Sequence, residues 1–303
     1  MSGSARGDPK RFAARVIATF GRTCLLESPD GSSWSAVRRG RRGDVVVGDE
    51  VIATESASGQ AAVESIEPRR TLLYRADVLR TKELAANVDC VLIIFASRPS
   101  FNLWFLWKAL VAAMSAGIEA IVVRNKTDLS DGAEAARLAL DQISALGWRT
   151  LAVSARSQPD ATRAALLDVI HGRSALLVGQ SGMGKSTLIN LLVPEAQVRT
   201  REFSERLDLG KQTTTAARWF QLPAGGGAIV DTPGFQEFGL AHLSPQQLLC
   251  GFPDFEPHLG GCRFLDCRHL AEPDCAIHRA VEDGTIARDR YAFYRALAEG
   301  KSR

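Results

Sequence analysis

The chain reads ALLVGQSGMGKST from Ala175 to Thr187, passing from an apolar strand through a glycine-rich loop into a helix. The spacing Gly-x4-Gly-Lys-Ser matches a phosphate-binding loop, in the strand–loop–helix context that the motif requires. Glycines let the backbone wrap closely around phosphate oxygens, and the N-terminus of the helix supplies positive potential. A chance glycine-rich turn is the alternative. The motif predicts a nucleotide site on an α/β sheet, without choosing between ATP and GTP.

The residues of this loop have separate expected roles. Lys185 is expected to reach the β- and γ-phosphates, and the hydroxyl of Ser186 is expected to bind Mg²⁺. The residues expected to contact the nucleotide here are Gly179, Gln180, Ser181, Gly182, Met183, Gly184, Lys185, Ser186 and Thr187.

A second motif, NKTD at positions 125–128, follows another apolar strand. The Asp128 carboxylate can accept hydrogen bonds from the ring N–H and the exocyclic amine of guanine, whereas adenine would leave it unpaired. We expect Asn125 to brace the loop and contact the base, and the stem of Lys126 to lie along the base plane.

Ser154 and Ala155 end the next predicted strand, and their main-chain N–H groups are expected to bind the guanine oxygen. Ligands bind at the carboxyl ends of the strands in such sheets, so one guanine nucleotide could touch all three motifs. If NKTD were accidental, the protein would be an ATPase, and a comparison of GDP with ADP binding would separate the two.

Two further motifs have the character of nucleotide switches. In DTPG, we expect Asp231 to hold Mg²⁺ through water and the N–H of Gly234 to meet the γ-phosphate. Upstream, the letters GKQTTT contain Thr214 and Thr215, either of which would close over Mg²⁺ when GTP is bound. The same threonines also suit the start of a β-strand.

One position predicts slow intrinsic hydrolysis. Many GTPases place a water-orienting glutamine directly after the glycine of DxxG. Here that position is Phe235, which cannot orient water. We therefore expect slow basal turnover unless another group substitutes.

The order of the motifs is permuted. In ordinary small GTPases the phosphate loop comes first, whereas here NKTD and Ser154-Ala155 precede it. The same sheet forms if the old termini are joined and new ones open at the surface. Alternating apolar strands and helices predict a parallel sheet covered on both faces. The new break falls just after the second switch, so Phe235 onward runs directly into the Cys/His domain, and a γ-phosphate-dependent movement could be transmitted to that domain.

The N-terminal segment carries five short β-like runs separated by turn residues. The predicted strands are Ala14–Phe20, Thr23–Glu27, Ser33–Val37, Val45–Ile52 and Ala61–Ile66. They predict a small barrel such as an OB-fold, with a β-sandwich or an SH3-like barrel as alternatives. The letters RRGRR at positions 38–42 form either an RNA contact or a solvated loop.

Four of the six cysteines lie near the C-terminus. Three of them, with one histidine, offer a usual tetrahedral zinc set, and a small loop-rich segment benefits from a structural metal. Cys250 and His278 are alternative ligands, and free thiols are the alternative to a metal site. The four predicted ligands are Cys262, Cys267, His269 and Cys275.

The composition is that of an ordinary globular protein, with 303 residues, 46% hydrophobic residues and a net charge of +3. The first ten residues are polar, unlike a signal peptide, and no run reaches the ~18 apolar residues that span a bilayer. We expect a cytoplasmic monomer without membrane contact, in which clustered cysteines favour metal over disulfides.

The sequence resembles the RsgA (YjeQ) family of small-ribosomal-subunit-dependent GTPases over nearly its whole length. The matching letters are VVVGDEV, IEPRRTLLYR, AANVDCVLIIFASRPSFNL, NKTDL, the phosphate loop, GKQTTT, DTPGF and the Cys/His spacing. The resemblance implies a multidomain α/β protein. Its expected parts are an N-terminal OB-fold RNA-binding β-barrel at 1–70, a circularly permuted P-loop GTPase domain at 71–242 and a C-terminal zinc-binding α-helical domain at 243–303.

The resemblance also implies GTP hydrolysis stimulated by the small ribosomal subunit during its late maturation, and GTP-dependent binding to its rRNA. The family usually has a histidine, associated with water activation, where this chain has Gln212. A glutamine can also orient water, so Gln212 is a candidate replacement. The expected catalytic residues are Lys185, Gln212, Thr214, Asp231 and Gly234.

Two other functions fit the same motifs. A permuted GTPase could act on another RNA or on the large subunit, although such proteins generally lack the OB-plus-zinc arrangement. An RNA-binding module with a nearly silent nucleotide pocket is supported by Phe235, but the intact Lys185, Ser186 and Asp231 argue against it.

Overall fold

The computed structural model of the chain describes residues 10–21, 23–38, 45–76, 81–196, 217–233, 235 and 237–300. Several predicted functional residues lie outside these ranges, so that their roles stay predictions. They are Gln212, Thr214, Thr215, Gly234 and the basic residues at 39–42.

Five strands form the N-terminal part. They are β1 (Arg11–Phe20), β2 (Thr23–Glu27), β3 (Ser33–Arg38), β4 (Glu50–Ala57) and β5 (Gln60–Ile66). Their order is β1-β2-β3-β5-β4, and β4 also pairs with β1, which closes the sheet into a barrel. The β3–β5 pair is parallel and the others are antiparallel. This five-stranded barrel has the OB-fold architecture that was predicted.

The fourth strand begins later than the predicted Val45–Ile52. Residues 46–49 form a turn, in which the Val46 N–H donates to the Asp49 carboxylate at 2.9 Å. Gly48 has a φ of +89°, which a strand residue does not adopt, and a side chain there would collide with the main chain of Ala86. The strand therefore starts only at Glu50.

The barrel is followed by a hairpin that the sequence pattern did not predict. β6 (Leu72–Ala76) pairs antiparallel with β7 (Thr81–Ala86). The Arg69 guanidinium fixes the hairpin to the barrel, since it binds the fully buried Asp49 at 2.7 Å and Glu83 of β7 at 2.8 Å. This network places the hairpin between the barrel and the rest of the chain.

Six strands form the central sheet. They are β8 (Cys90–Ala96), β9 (Glu119–Asn125), β10 (Arg149–Ala152), β11 (Arg173–Val178), β12 (Arg218–Gln221) and β13 (Gly227–Asp231). The order is β10-β9-β8-β11-β13-β12, parallel except for the β12–β13 hairpin. β12 also pairs with β1 at Arg218 and Ala18, so barrel and central sheet join in one eleven-stranded sheet.

In the described ranges, four helices connect the strands of this sheet. They are α1 (Leu103–Ser115), α2 (Ala133–Ala145), α3 (Pro159–Ile170) and α4 (Lys185–Leu192). Strand β8 is buried along its whole length, as expected for a strand covered on both faces. Among the described residues, no helix is long and apolar enough to cross a lipid bilayer.

The C-terminal part is helical and loop-rich, with α5 (Pro245–Leu249), α6 (Ala276–Glu282) and α7 (Arg288–Ala298). Helix α7 packs on α1, since the Phe293 ring lies 5.5 Å from Trp104 and 5.4 Å from Trp107. Arg290 is buried, pairs with Asp254 at 3.0 Å and stacks over Trp107. This contact holds the Cys/His region against the central sheet.

Candidate nucleotide site and metal centre

The predicted nucleotide motifs meet at one edge of the central sheet. The phosphate loop follows β11, the NKTD residues follow β9, and Ser154 follows β10. Asp231 ends β13, which is the parallel neighbour of β11. The carboxyl ends of parallel strands lie at the same edge of a sheet. The order of the motifs along the chain therefore does not affect where they meet, and the permuted motifs form a single site.

The phosphate loop turns through two left-handed glycines, Gly182 at φ +78° and Gly184 at φ +93°. The Lys185 ammonium donates to the main-chain oxygens of Gly179 at 2.6 Å and Gln180 at 3.0 Å, so it lies inside the loop. Burial lowers the pKa of Lys185, and the nearby Asp231 partly offsets that effect. The loop thus encloses a positive charge where a phosphate chain would sit.

The NKTD loop is bonded directly to the phosphate loop. The Asn125 amide donates to the main-chain oxygen of Met183 at 3.0 Å, and the Lys126 ammonium donates to that of Gly182 at 2.6 Å. A side chain at Gly184 would collide with the Asn125 amide. The two loops therefore form one rigid unit, as a site for a single nucleotide requires.

Asp128 is exposed at the rim of this unit, in agreement with its predicted role in reading a base. Its carboxylate accepts a hydrogen bond from the Ser154 hydroxyl, which is the main cause of its lowered pKa. Asn125 also accepts from the Ala155 N–H at 3.3 Å. These bonds bring the Ser-Ala turn against the NKTD loop and keep Asp128 ionised as an acceptor.

The loop after β8 supports both motifs, a role that the sequence pattern did not reveal. The Lys126 ammonium donates to the main-chain oxygen of Arg98 at 3.0 Å, and the Asn102 N–H donates to the Gln180 side chain at 2.8 Å. Arg98 itself forms a bidentate pair with Asp131 at 2.5 and 2.6 Å. The signals in the sequence were the position of this loop after a strand of the same sheet and its letters FASRPSFNL, which are among those that carry the resemblance.

A buried arginine, which the sequence analysis did not identify, also lies beside Asp231. Arg218 is directly opposite Asp231 in the β12–β13 pair and is only 6% exposed. Its Nε has no hydrogen-bond partner among the described residues. Burial raises the pKa of Asp231, while the charges of Arg218 and Lys185 counteract this rise. The carboxylate thus sits between two cations.

The Cys/His residues form a compact cluster near α6. The ligand atoms of Cys262, Cys267, His269 and Cys275 all lie within 4.8 Å of one another. His269 Nδ1 is 3.5 Å from the Cys262 sulfur and 3.4 Å from the Cys275 sulfur, and these sulfurs are 3.9 Å apart. Tetrahedral zinc, with bonds of about 2.3 Å to sulfur and about 2.0 Å to nitrogen, requires edges of about 3.8 Å and about 3.5 Å. The cluster could therefore hold a metal ion.

The loop that carries these ligands is held by its own hydrogen bonds. Glu272 accepts from the N–H groups of Arg268 and Leu270 at 3.0 and 2.8 Å. The Tyr291 hydroxyl donates to the main-chain oxygen of His269 at 3.0 Å. His269 has a φ of +59°, and burial lowers its pKa, which favours the neutral imidazole that a metal needs.

The two alternative ligands lie outside this cluster. Cys250 is exposed and its sulfur lies 3.7 Å from the main-chain oxygen of Gln246. The His278 imidazole is 2.6 Å from the Tyr291 hydroxyl. Within the described part of the chain, the four predicted residues are the ones whose ligand atoms lie close enough together to hold a metal ion.

The chain is similar to known proteins along its whole length. A family model described as RsgA GTPase matches residues 66–241. A protein of Paraburkholderia xenovorans, named small ribosomal subunit biogenesis GTPase RsgA, is 46% identical and covers 100% of this chain and 99% of its own. A protein of the same name from Bordetella pertussis is 45% identical over 92% of this chain and 93% of its own.

Two solved structures share the fold. The crystal structure of YjeQ from Thermotoga maritima has a TM-score of 0.71 and 27% identity, covering 96% of this chain and 99% of that one. The structure of YloQ, described as a circularly permuted GTPase, has a TM-score of 0.67 at 22% identity, covering 96% and 95%. The circular permutation predicted from motif order is therefore confirmed as a property of the fold.

Proposed function

The chain belongs to the RsgA GTPase family, and from this membership we propose that it is a GTP-hydrolysing enzyme of small-ribosomal-subunit maturation. The observation that carries the proposal is the direct bonding of the guanine-type loop to the phosphate loop through Asn125 and Lys126. Such a unit suits a single guanine nucleotide, whose base and phosphates would contact the two loops at the same time.

In this proposal, GTP lies across the carboxyl edge of the central sheet. Asp128 selects guanine, residues 179–187 enclose the phosphates and Lys185 neutralises the γ-phosphate. The hydroxyl of Ser186 and the carboxylate of Asp231 are oxygen ligands of the kind that Mg²⁺ prefers. Bound there, Mg²⁺ would neutralise charge that develops on the phosphates.

Three further roles are proposed for residues outside the described ranges. Thr214 or Thr215 completes the Mg²⁺ site, the Gly234 N–H meets the γ-phosphate, and Gln212 orients the attacking water. Gln212 is required in this scheme because Phe235 cannot orient water. Phe235 is instead packed against Phe105 and Phe238, with ring centroids 6.4 and 4.7 Å away.

The metal in the Cys₃His cluster is proposed to be a structural Zn²⁺. The distances between the ligand atoms of the cluster match tetrahedral thiolate–imidazole coordination, and all four positions are filled by protein atoms. The metal would hold the loop-rich segment between α5 and α6 in one shape. We assign this segment to the zinc-binding domain, residues 243–303, after an OB-fold domain at 1–70 and a GTPase domain at 71–242.

The partner is proposed to be the small subunit and its rRNA, in the cytoplasm, with the protein acting as a monomer. GTP would favour docking on the subunit, contact would stimulate hydrolysis, and GDP would favour release. The two RsgA relatives described above, each named small ribosomal subunit biogenesis GTPase, support the small-subunit part of this proposal.

The test is GTP turnover with and without purified small subunits. We expect strong stimulation by small subunits, none by large subunits, and loss of turnover in Lys185→Ala. Turnover that neither subunit changes would contradict the ribosomal role while leaving the nucleotide site intact.

The role of Gln212 has its own test. Gln212→Ala is expected to lower subunit-stimulated turnover while GTP affinity stays unchanged, because the glutamine would act on water rather than on the nucleotide. Gln142→Ala, an exposed change on α2, is the matched control. Unchanged stimulated turnover in Gln212→Ala would rule out this role.

A further inference from the structure

The chain leaves the nucleotide site alongside strand β6 of the β6–β7 hairpin, to which it is joined by an isolated β-bridge. We call the described residues that follow DTPG, Phe235 and 237–243, the post-switch segment. The Ala76 N–H donates to the main-chain oxygen of Glu237 at 3.1 Å, and the Gly239 N–H donates to that of Tyr74 at 3.0 Å. The antiparallel bridge between Arg75 and Phe238 lies between these bonds.

Gly239 makes this close approach feasible. A Cβ atom there would lie 2.8 Å from the main-chain oxygen of Arg75 and 2.7 Å from a methyl of Thr81. Real Cβ atoms do not come so near to backbone atoms. The post-switch segment can therefore lie on β6 only with glycine at this position.

A charged contact fixes the same segment to α1. The Lys108 ammonium, on a side chain that is largely buried in α1, pairs with the Glu237 carboxylate at 2.9 Å. Loss of one partner from such a pair leaves the other charge poorly solvated, which is costly. With the packing of Phe235 on Phe105, the pair holds the segment on a second side.

The opposite strand of the hairpin contacts the barrel. The Ala86 N–H donates to the main-chain oxygen of Val47 at 3.0 Å, and the Asn87 amide donates to that of Gly48 at 2.9 Å. Arg69 bridges the same turn to β7 through Asp49. The hairpin thus touches the post-switch segment on one side and the barrel turn at 46–49 on the other.

The other switch leads to the same turn. Strand β12 begins shortly after the GKQTTT letters and pairs with β1 at Ala18. In β1, the Val16 N–H donates to the Asp49 oxygen at 2.8 Å, and Val16 accepts from the Gly48 N–H at 2.9 Å. Both switch-linked routes therefore end at residues 46–49 of the barrel.

We propose that Lys108 and the β6–β7 hairpin form a relay that positions the DTPG turn and transmits the state of the γ-phosphate to the N-terminal barrel. The relay rests on the proposed GTP site. A movement of the DTPG turn toward the γ-phosphate displaces a segment hydrogen-bonded to β6, so the hairpin and the barrel turn must respond. Lys108 is a positioning residue, acting through Glu237.

Hydrogen exchange of the full-length protein tests the relay, with GDP compared to the non-hydrolysable analogue guanylyl imidodiphosphate. We expect amides of β6, β7 and residues 46–49 to exchange differently in the two states. In Glu237→Gln and Lys108→Met this difference is expected to vanish, and the analogue-to-GDP affinity ratio to fall by about fivefold. GDP affinity itself is expected to stay unchanged.

Two variants separate positioning from simple loss of packing. The charge swap Lys108→Glu/Glu237→Lys is expected to restore part of the exchange difference, which a merely structural role would not do. Gly239→Ala is expected to abolish it, because it detaches the segment from β6. Glu134→Gln is the control, since it removes an exposed carboxylate paired with Arg137 on α2.

The outcomes are distinct. Equal exchange of the hairpin and barrel turn in the two states of the wild type, with the analogue bound, overturns the relay and leaves the GTPase site standing. A difference that persists in Glu237→Gln, Lys108→Met and Gly239→Ala also overturns it. Failure of the wild type to bind the analogue at all, a result expected only of Lys185→Ala, contradicts the proposed nucleotide site itself.

Discussion

The side-chain amide of Asn125 donates a hydrogen bond to the main-chain oxygen of Met183 at 3.0 Å, across 58 residues of sequence. The same side chain accepts from the Ala155 N–H and is only 2% exposed. One buried amide therefore connects the loops that follow β9, β10 and β11. Because the bonds lie within the protein, the nucleotide site is organised by the fold itself.

Asn125→Ala is expected to weaken this organisation. The main-chain groups of Met183 and Ala155 would lose buried partners, at a cost of about 1–3 kcal/mol. We expect a lower melting temperature and weaker GDP binding together. Asn102→Ala is the control, because Asn102 is exposed and its side chain only caps α1. Equal GDP affinity in wild type and Asn125→Ala would show that the loops hold without the amide.

Asp128→Asn is expected to change base selectivity from guanine to xanthine. The amide cannot accept from both donors of guanine, but its N–H₂ group can donate to the oxygen that xanthine carries instead. We expect GDP affinity to fall about 100-fold and xanthosine diphosphate affinity to rise. Asp131→Asn, three positions further on, removes only the pair with Arg98 and keeps the preference for guanine. Retained GDP affinity in Asp128→Asn would disprove the base-reading role.

Cys275→Ser is expected to abolish metal binding. Cys275 is buried within the cluster, and serine oxygen is a poor substitute for thiolate in a zinc site. Elemental analysis of the purified protein is expected to show about one zinc per chain in the wild type and none in the variant. Cys250→Ser, outside the cluster, is expected to keep its zinc. A full complement of zinc in Cys275→Ser would mean that other residues bind it.

Two cysteines are expected to resist alkylation in the native state. Burial raises the pKa of Cys24 and of Cys90 to about 12, so almost no reactive thiolate forms at pH 8. Iodoacetamide is expected to modify the exposed Cys250 and to reach Cys24 and Cys90 only after unfolding in guanidinium chloride. Mass spectrometry of tryptic peptides measures this, and rapid native labelling of Cys90 would contradict its burial.

Arg69→Met is expected to destabilise the junction between barrel and hairpin. It would leave Asp49, which is fully buried, without its counter-charge, at a cost of about 3–5 kcal/mol. Arg70→Met is the matched control, because the adjacent Arg70 is 62% exposed in its pair with Asp89. Denaturant unfolding measures both changes. Similar midpoints for the two variants would refute the special role of Arg69.

The elements predicted best were those with a strong local signal. Helix α4 begins at Lys185, directly after the glycine-rich loop as predicted, because the phosphate-loop motif fixes where the helix begins. The buried strands β8, β9 and β11 are parallel strands of one sheet, as the alternation of apolar strands and helices predicted, since continuous apolar runs mark them. The convergence of the motifs followed from the rule that ligands bind at strand ends.

The features that were missed depend on contacts between distant residues. The hairpin β6–β7 has no clear alternation, and its position relies on Arg69 binding Asp49. The placement of Arg218 beside Asp231 requires the register of β12 on β13, which local pattern does not encode. The start of β4 at Glu50 likewise depends on the positive φ of Gly48, packed against the hairpin.

The pairing of Ala18 with Arg218 sets an order of completion during biosynthesis. The barrel strands lie within residues 11–66 and close through β1 and β4, so the barrel can form soon after it leaves the ribosome. The C-terminal end of β1 can pair with β12 only later, because β12 lies near the end of the nucleotide-binding part of the sequence. An unpaired strand edge is a template for wrong pairing. The nascent chain therefore carries an unpaired strand edge from the closure of the barrel until β12 has been made, and any translational arrest before residue 218 leaves that edge open.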